Sequence, residues 1–368
     1  MKPKTLSPLV FWLVAITLPI AAESICDYRP PESRISDLGV QGSFSWYDGP
    51  YADDRERSVS AGLVADCSLL HSSVSSARTF DGRVEVDGTR VGWTADAGGS
   101  GSLRSFLADD LFVVAAVGFV RSSASPLEFD LTGGVGTGRF RDVTPMAQAI
   151  RIQNELLDLG ELLAPVGDTA LLDVAQILGE VGPSDDDKAV RLAERLAATE
   201  LVVGEGLGVR ALLSLDEILA SYSDTRFCGR DVQARVGASA TFDSEVQLAA
   251  TGILLARYAA VPDPVSQVDS SIQAKFRLAN PDEMAIDADL SYARRLPDGW
   301  TARAEYRVSL DRSWTATDST IVSHAVAGSF TTQVFGSVGI RFACNAEHRT
   351  GDEEITVSLT VDLEADLF

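Results

Sequence analysis

Histidine, methionine and cysteine are scarce in this chain: three, three and four among 368 residues. So few histidines leave little material for a metal centre or an acid–base relay. None of Cys26, Cys67, Cys228 and Cys344 stands in a CxxC pair of the kind that binds zinc. Basic residues are also under-represented, 31 lysines and arginines against 53 aspartates and glutamates, for a formal charge of −22. That balance argues against nucleic acid as a partner, because phosphates need a basic patch. No GxSxG element marks a nucleophile. The run Gly133-Gly134-Val135-Gly136-Thr137-Gly138-Arg139 lacks the Lys-Ser/Thr pair of a phosphate loop and the GxGxxG spacing, so it reads as a bend or a close approach within a strand. No catalytic residue, metal ligand, cofactor-binding residue or cofactor is assigned, and the chain is not expected to be an enzyme.

After residue 22 there is no apolar run of about eighteen residues, hence no expected helical membrane span. Residues 1–22 themselves carry Lys2 and Lys4, an apolar stretch from Leu6 to Ile20 broken by Pro8 and Pro19, and then Ala21 and Ala22. This is the layout of a secretory signal peptide cleaved after Ala22. Its loss takes the charge to −24, which suits an exported protein kept soluble in transit. In an oxidising compartment the four cysteines allow up to two disulfides in three pairings.

What the chain does have is apolar residues at every second position, in runs of strand length. In 267–278 the apolar set Val268, Ile272, Ala274, Phe276 and Leu278 alternates with polar residues that include Lys275 and Arg277. The runs Met284-Ile286-Ala288-Leu290-Tyr292 and Trp300-Ala302-Ala304-Tyr306-Val308-Leu310 repeat the pattern. A period of two puts alternate side chains on opposite faces of a sheet. Four such strands come early, over 37–47, 57–69, 110–121 and 126–136, and eight late, near 229–243, 245–258, 267–278, 284–294, 300–311, 319–330, 333–343 and 354–366. The stretch 70–109 is less regular; Asp87-Gly88 within 83–91 suggests a hairpin turn, in the wall or beside it.

From 142 to 223 the period becomes helical. Thr144 followed by Pro145 predicts a helix start, with Gly160 closing it. Further helices are expected over about 168–179, from Ser184 with Asp185, Asp186 and Asp187 in the first turn, and over about 207–221. Four amphipathic helices can bury a small core of their own.

Ten-residue alternating runs behind a leader resemble the bacterial outer-membrane β-barrel (porin-like) proteins as a class. The resemblance covers 36–136 and 228–368 and includes a terminal Phe368, which such barrels favour as an assembly signal, although the last apolar set, from Ile355 through Leu363 to Ala365, is out of phase with it unless a bulge intervenes. It implies an all-β transmembrane antiparallel barrel of about twelve strands, or fourteen if 83–91 joins the wall, with an inserted all-α periplasmic subdomain. The domain order is then a leader (1–22), a lead-in (23–35), a first barrel segment (36–140), the helical insertion (141–226) and a second barrel segment (227–368). The partners implied are outer-membrane lipid, the barrel-assembly machinery and a periplasmic partner for 141–226.

With both termini periplasmic, 70–109 and the Pro297-Asp298-Gly299 turn fall on the inner side. Trp46, Phe242, Phe276 and Phe342 fall near the outer rim, and Tyr258, Tyr292, Trp300, Phe330 and Phe368 near the inner one. Cys26, Cys67 and Cys228 then lie inside and Cys344 at the outer rim, so a Cys228–Cys344 bond is incompatible with a hydrocarbon band of about 25 Å. His324 faces lipid, His348 lies in an outer loop near Asp352, and His71 follows the second strand. The lumen candidates are Asp231, Arg235, Lys275, Arg277, Asp287, Asp289, Arg303, Glu305 and Arg307. Charges of both signs can pair across an interior and close it, or line a selective pore. Three functions follow: a narrow pore or transport-related protein for small solutes, a closed barrel acting through its helical domain, or a soluble secreted β-sandwich.

Overall fold

The computed structural model describes residues 23–30, 32–47, 58–89, 92–123, 125–180, 183–204, 206–220, 225–243, 246–278, 283–296, 299–313, 319–335, 338–350 and 355–366. The leader, the Pro297-Asp298 pair, Asp352 and Phe368 lie outside them, as does the Trp46 side chain. Two compact units form: 30–141, 229–259 and 268–368 in one, 142–228 with 23–29 and 260–267 in the other.

The first unit is built from fourteen antiparallel strands: β1 (Glu32–Tyr47), β2 (Ser58–Ser73), β3 (Ser76–Thr89), β4 (Gly92–Phe106), β5 (Leu111–Ser122), β6 (Ser125–Asp142), β7 (Phe227–Phe242), β8 (Val246–Ala260), β9 (Ser266–Arg277), β10 (Glu283–Arg295), β11 (Thr301–Ser313), β12 (Ser319–Phe335), β13 (Val338–Arg349) and β14 (Thr356–Asp366). Each pairs with its neighbour in sequence order, and β1 also pairs with β14, with Val40 opposite Ala365, so the ladder closes into a barrel. Closure leaves no edge strand and satisfies the backbone within the wall.

Of the two counts expected, twelve or fourteen, fourteen is found, and the two strands beyond twelve are β3 and β4, from the stretch that looks irregular in sequence. Their outward rows explain the weak signal. On β4 that row is Trp93, Ala95, Ala97, Gly99, Gly101 and Leu103, mostly too small to register as apolar alternation. Asp87-Gly88 is no turn: Asp87 faces Thr94 and Gly88 faces Trp93 inside the β3–β4 ladder. A Cβ on Gly88 would meet the Trp93 ring, and the same holds for Gly99 under Phe119 and Gly136 under Phe112, all direct cross-strand partners. Aromatic rings thus cover the glycines that would otherwise weaken the sheet.

The outer face is apolar and exposed. On β5, Leu111, Val113, Val117 and Phe119 are exposed while Phe112, Val114 and Ala116 are buried on the inner face. On β14, Leu359 is 80% exposed between Val357 and Val361, each 62% exposed.

At the β6–β7 junction the glycine run does what a close approach requires. A Cβ on Gly134 or Gly138 would collide with the β7 carbonyl of Ala234 or Arg230, and one on Gly237 with the β6 carbonyl of Leu131. Gly138 (φ +108°) and Gly229 (φ +142°) also hold backbone shapes that other residues rarely adopt. Gly237→Val is therefore expected to cost at least the 1–3 kcal/mol typical of overpacking (about that range), because backbone cannot swing aside. Gly42→Ala, with nothing within 4 Å of the new Cβ, is the control. Equal urea midpoints for the two variants would contradict this account.

The second unit contains the short turn α1 (Glu23–Cys26) and helices α2 (Thr144–Asp158), α3 (Asp168–Gly179), α4 (Asp185–Ala197) and α5 (Val209–Ala220). Its core includes Ile152, Leu156, Val174, Leu178, Leu192, Leu196, Leu215 and Leu219, all at most 2% exposed. Burying each such side chain contributes roughly 1.5–3 kcal/mol before entropy is counted. Ser184 caps α4 by accepting from the Asp187 N–H at 3.2 Å. At α2 the expected cap is corrected: Val143 is the cap residue, and the Thr144 hydroxyl instead accepts from the Arg226 N–H at 2.8 Å. The lead-in is corrected too, since Ile25 and Tyr28 pack into this core and β1 starts at Glu32. Tyr28 donates to the Ala175 carbonyl, and burial, then the nearby Asp142 carboxylate, push its hydroxyl up to about 12.

The helical unit is a tandem repeat with an offset of about forty residues. Ile152 and Leu156 in α2 occupy the places of Leu192 and Leu196 in α4, and Val174 and Leu178 in α3 those of Leu215 and Leu219 in α5. Gly160 (φ +73°) and Glu200 (φ +60°) take the same left-handed backbone at the ends of α2 and α4. The two halves meet in one antiparallel bridge, Leu162 opposite Val202, flanked by Leu163 N–H to Leu201 O and Val203 N–H to Glu161 O, each 2.9 Å. These bonds interchange under the offset, so an approximate two-fold axis passes through the bridge.

Candidate functional site in the barrel interior

Residues of β2 to β9 line a cavity of about 760 Å³, among them the inner-facing Arg104, Asp130, Gln233, Arg235 and Arg257. Asp231 on β7 is fully buried and binds three of the lining residues. Asp231 Oδ2 accepts from Arg104 Nη2 of β4 at 2.9 Å and from Arg257 Nη2 of β8 at 2.8 Å, and both its oxygens accept from Gln233 Nε2, at 3.0 and 2.7 Å. Strand alternation places Asp231, Gln233 and Arg235 in one inner row, with Val232, Ala234 and Val236 exposed on the other face. The Arg104 guanidinium also lies 5.1 Å from the Phe112 ring centroid, a cation–π contact on the inner face of β5.

A second cluster joins Asp130 of β6, which accepts from Lys275 Nζ of β9 at 2.8 Å and from the Ser239 hydroxyl of β7; Ser239 in turn contacts the Thr251 hydroxyl at 2.7 Å. Arg235 stands between the two clusters in sequence and lines the cavity, yet its Nε is buried with no hydrogen-bond partner.

Of the remaining lumen candidates, Asp289 pairs with Arg307 across β10–β11, Nε to Oδ1 at 2.8 Å, and accepts from the Ser271 hydroxyl of β9 at 3.2 Å. Arg303 and Glu305 approach to 3.7 Å along β11. Asp287 is two positions from Asp289 on the same row, and Arg277 is the exposed last residue of β9. Sequence reasoning did not single out Arg104 and Arg257, which bind Asp231, or Asp66 and Asp81, which line the cavity with Arg235. Arg104 and Asp81 sit on β4 and β3, the strands missed in sequence. Asp66 and Arg257 are the polar-phase residues of strands whose apolar phase was legible.

The cysteines resolve as a Cys26–Cys228 disulfide, with Cys67 and Cys344 free. Cys344 is corrected from the outer rim to mid-strand, opposite Gly328. Phe342 is corrected likewise: β13 starts and ends later than its sequence pattern suggests, so Phe342 pairs with Phe330 and stacks on Trp300 at 6.3 Å, at the rim first given to Trp300 and Phe330. His348 is not in a loop but in β13, directly opposite His324, whose Nδ1 lies 3.0 Å from the Tyr306 hydroxyl. No group of three or more potential metal ligands occurs among the described residues.

The fold defines a closed, antiparallel, fourteen-stranded β-barrel with an inserted helical unit. No protein-family model matches the chain, and no curated protein matches it in sequence. Solved structures similar to it are outer-membrane proteins. A loop L8 deletion mutant of OmpT from Vibrio cholerae is 7% identical at a TM-score of 0.37, over 91% of this chain and 99% of that one. OccK3 (OpdO) of Pseudomonas aeruginosa is 7% identical at 0.35, over 91% and 95%. The CymD monoaromatic hydrocarbon channel is 9% identical at 0.33, over 95% and 94%.

Proposed function

We propose that the chain is a bacterial outer-membrane β-barrel acting as a narrow pore or transport-related protein for small solutes. The observation that carries this reading is the pairing of an exposed apolar outer face, such as Val357, Leu359 and Val361, with a polar inner face around a cavity of about 760 Å³. A water-soluble protein rarely leaves so extended an apolar surface open, whereas a lipid-facing band requires it. The leader supports export, and strand parity supports a periplasmic location for the helical unit, because β6 ends and β7 begins at the barrel end where β1 begins. Such a protein is expected to be inserted by the barrel-assembly machinery.

The test is heat-modifiability of the detergent-solubilised membrane fraction, boiled against unboiled, followed by conductance in planar bilayers. A boiling-dependent gel shift with stepwise conductance is expected, and neutralising Arg303 and Arg307 should alter ion selectivity. Protein recovered soluble from the periplasm without a shift would end the membrane reading. A shift without conductance would favour the closed barrel acting through the helical unit, where Leu163, Val203 and Leu213 stand exposed as a surface for a periplasmic partner.

A further inference from the structure

The cavity holds charges of both signs that the protein leaves unpaired. Arg104 and Arg257 share Asp231, and Lys275 takes Asp130, so each of those five groups has an ionic partner within the protein. Arg235 takes part in no hydrogen bond or ion pair among the described residues, and its buried Nε has lost water without gaining an acceptor. Asp66 on β2 and Asp81 on β3 also line the cavity and likewise make no hydrogen bond or ion pair. Asp66, Asp81, Arg235 and Arg257 line one and the same cavity, so its acidic and basic walls face a shared space. The Arg235 Nε is a buried donor without an acceptor, and a carboxylate arriving in the cavity would supply one; Asp66 and Asp81 stay exposed, free to receive a cation.

We propose that this cavity binds a small zwitterionic solute of the α-amino-acid class, its carboxylate on Arg235 and Arg257 and its ammonium on Asp81 and Asp66. A dianion would satisfy Arg235 but face two carboxylates; a dication would satisfy the carboxylates but face Arg235. Only a molecule carrying both groups answers both walls. Ala116, Ile253 and Leu255 supply an apolar stretch of the lining for the rest of the solute. The volume falls within the roughly 300–1,000 Å³ usual for small-molecule sites. Arginine suits the carboxylate end because its planar fork can donate two parallel hydrogen bonds.

The proposal deepens the pore reading by naming the solute, and its test separates the two. The full-length mature protein, folded in detergent with its disulfide intact, is titrated calorimetrically with three five-carbon probes: L-glutamine, glutarate and 1,5-diaminopentane. Glutamine is expected to bind at least tenfold more tightly than either of the others. Arg235→Gln and Asp81→Asn should each weaken glutamine at least tenfold while keeping the heat-modifiable gel shift; Asp66→Asn serves in parallel should Asp81→Asn fail to fold. Tightest binding of glutarate, tightest binding of the diamine, or no isotherm with any probe overturns the proposal. A glutamine isotherm with a silent bilayer removes the pore and keeps the site; conductance with no isotherm removes the site and keeps the pore.

Discussion

Asp231→Ala is expected to destabilise the barrel by about 3–5 kcal/mol, the range for removing one partner from a buried charge cluster. Asp231 is fully buried and receives hydrogen bonds from Arg104, Arg257 and Gln233. Without it, the Arg104 guanidinium, only 7% exposed in its side chain, becomes an unpaired cation beside a second one. Asp231→Asn keeps the volume and an acceptor, and should fall between wild type and alanine. Asp289→Ala provides the comparison. Its partner Arg307 is 67% exposed and Asp289 itself 44%, so solvent screens the pair and its removal should change stability by about 1 kcal/mol or less. The measurement is urea unfolding of the detergent-folded barrel, followed by loss of the heat-modifiable band. Equal midpoints for Asp231→Ala and Asp289→Ala would show that the buried cluster is not what holds β4, β7 and β8 together.

The second large effect lies in the helical unit. Reducing the Cys26–Cys228 bond, or replacing both cysteines with serine, should lower the stability of that unit by several kcal/mol. A loop with a sequence separation of 202 is long, and the chain-entropy model gives roughly 5 kcal/mol, toward the upper end of what disulfides contribute. The far-UV helical signal should melt well below its oxidised midpoint when dithiothreitol is present. Cys67→Ser and Cys344→Ser, which touch no disulfide, should leave that midpoint and its reductant sensitivity as they were. An unchanged midpoint on reduction would mean that the packing of Ile25 and Tyr28 anchors the N-terminal segment without the bond.

Most strands were legible because the outward residue was large and the inward one polar. Where that contrast failed, so did the reading. On β4 the outward row is mainly alanine and glycine. β5 was legible in spite of an apolar inner row of Phe112, Val114 and Ala116, because Leu111, Val113, Val117 and Phe119 hold the outward phase over the expected 110–121. The boundaries of β13 were misplaced because Phe342, Cys344 and Ala346 continue the outward row past the point where the pattern weakens. The helices were legible from period, and α4 also from its Ser184 cap. Their repeat was not, since it preserves buried positions and backbone shape while changing residue identity: Gly160 corresponds to Glu200, two residues that adopt a left-handed backbone for different reasons, glycine freely and glutamate under the constraint of the bridge beside it. The interior charges were half legible. Phase alone named Asp231 and Arg235; the arginines that share Asp231 come from strands far away in sequence, which only closure of the barrel brings together.

The Cys26–Cys228 bond also changes the topology of the polypeptide itself. Cys26 precedes β1 by a few residues, and Cys228 is the second residue of β7. β1 to β6 and all four long helices therefore form a covalent ring, from which β7 to β14 run on as a tail. A single protease cut anywhere within the ring opens it but releases no fragment until a reductant is added, while a cut in any loop after β7 frees a tail piece at once on denaturation. If oxidation precedes membrane insertion, what is inserted is not a linear chain but a lasso, with the starts of β1 and β7 already tethered before the first strand pairs with the last.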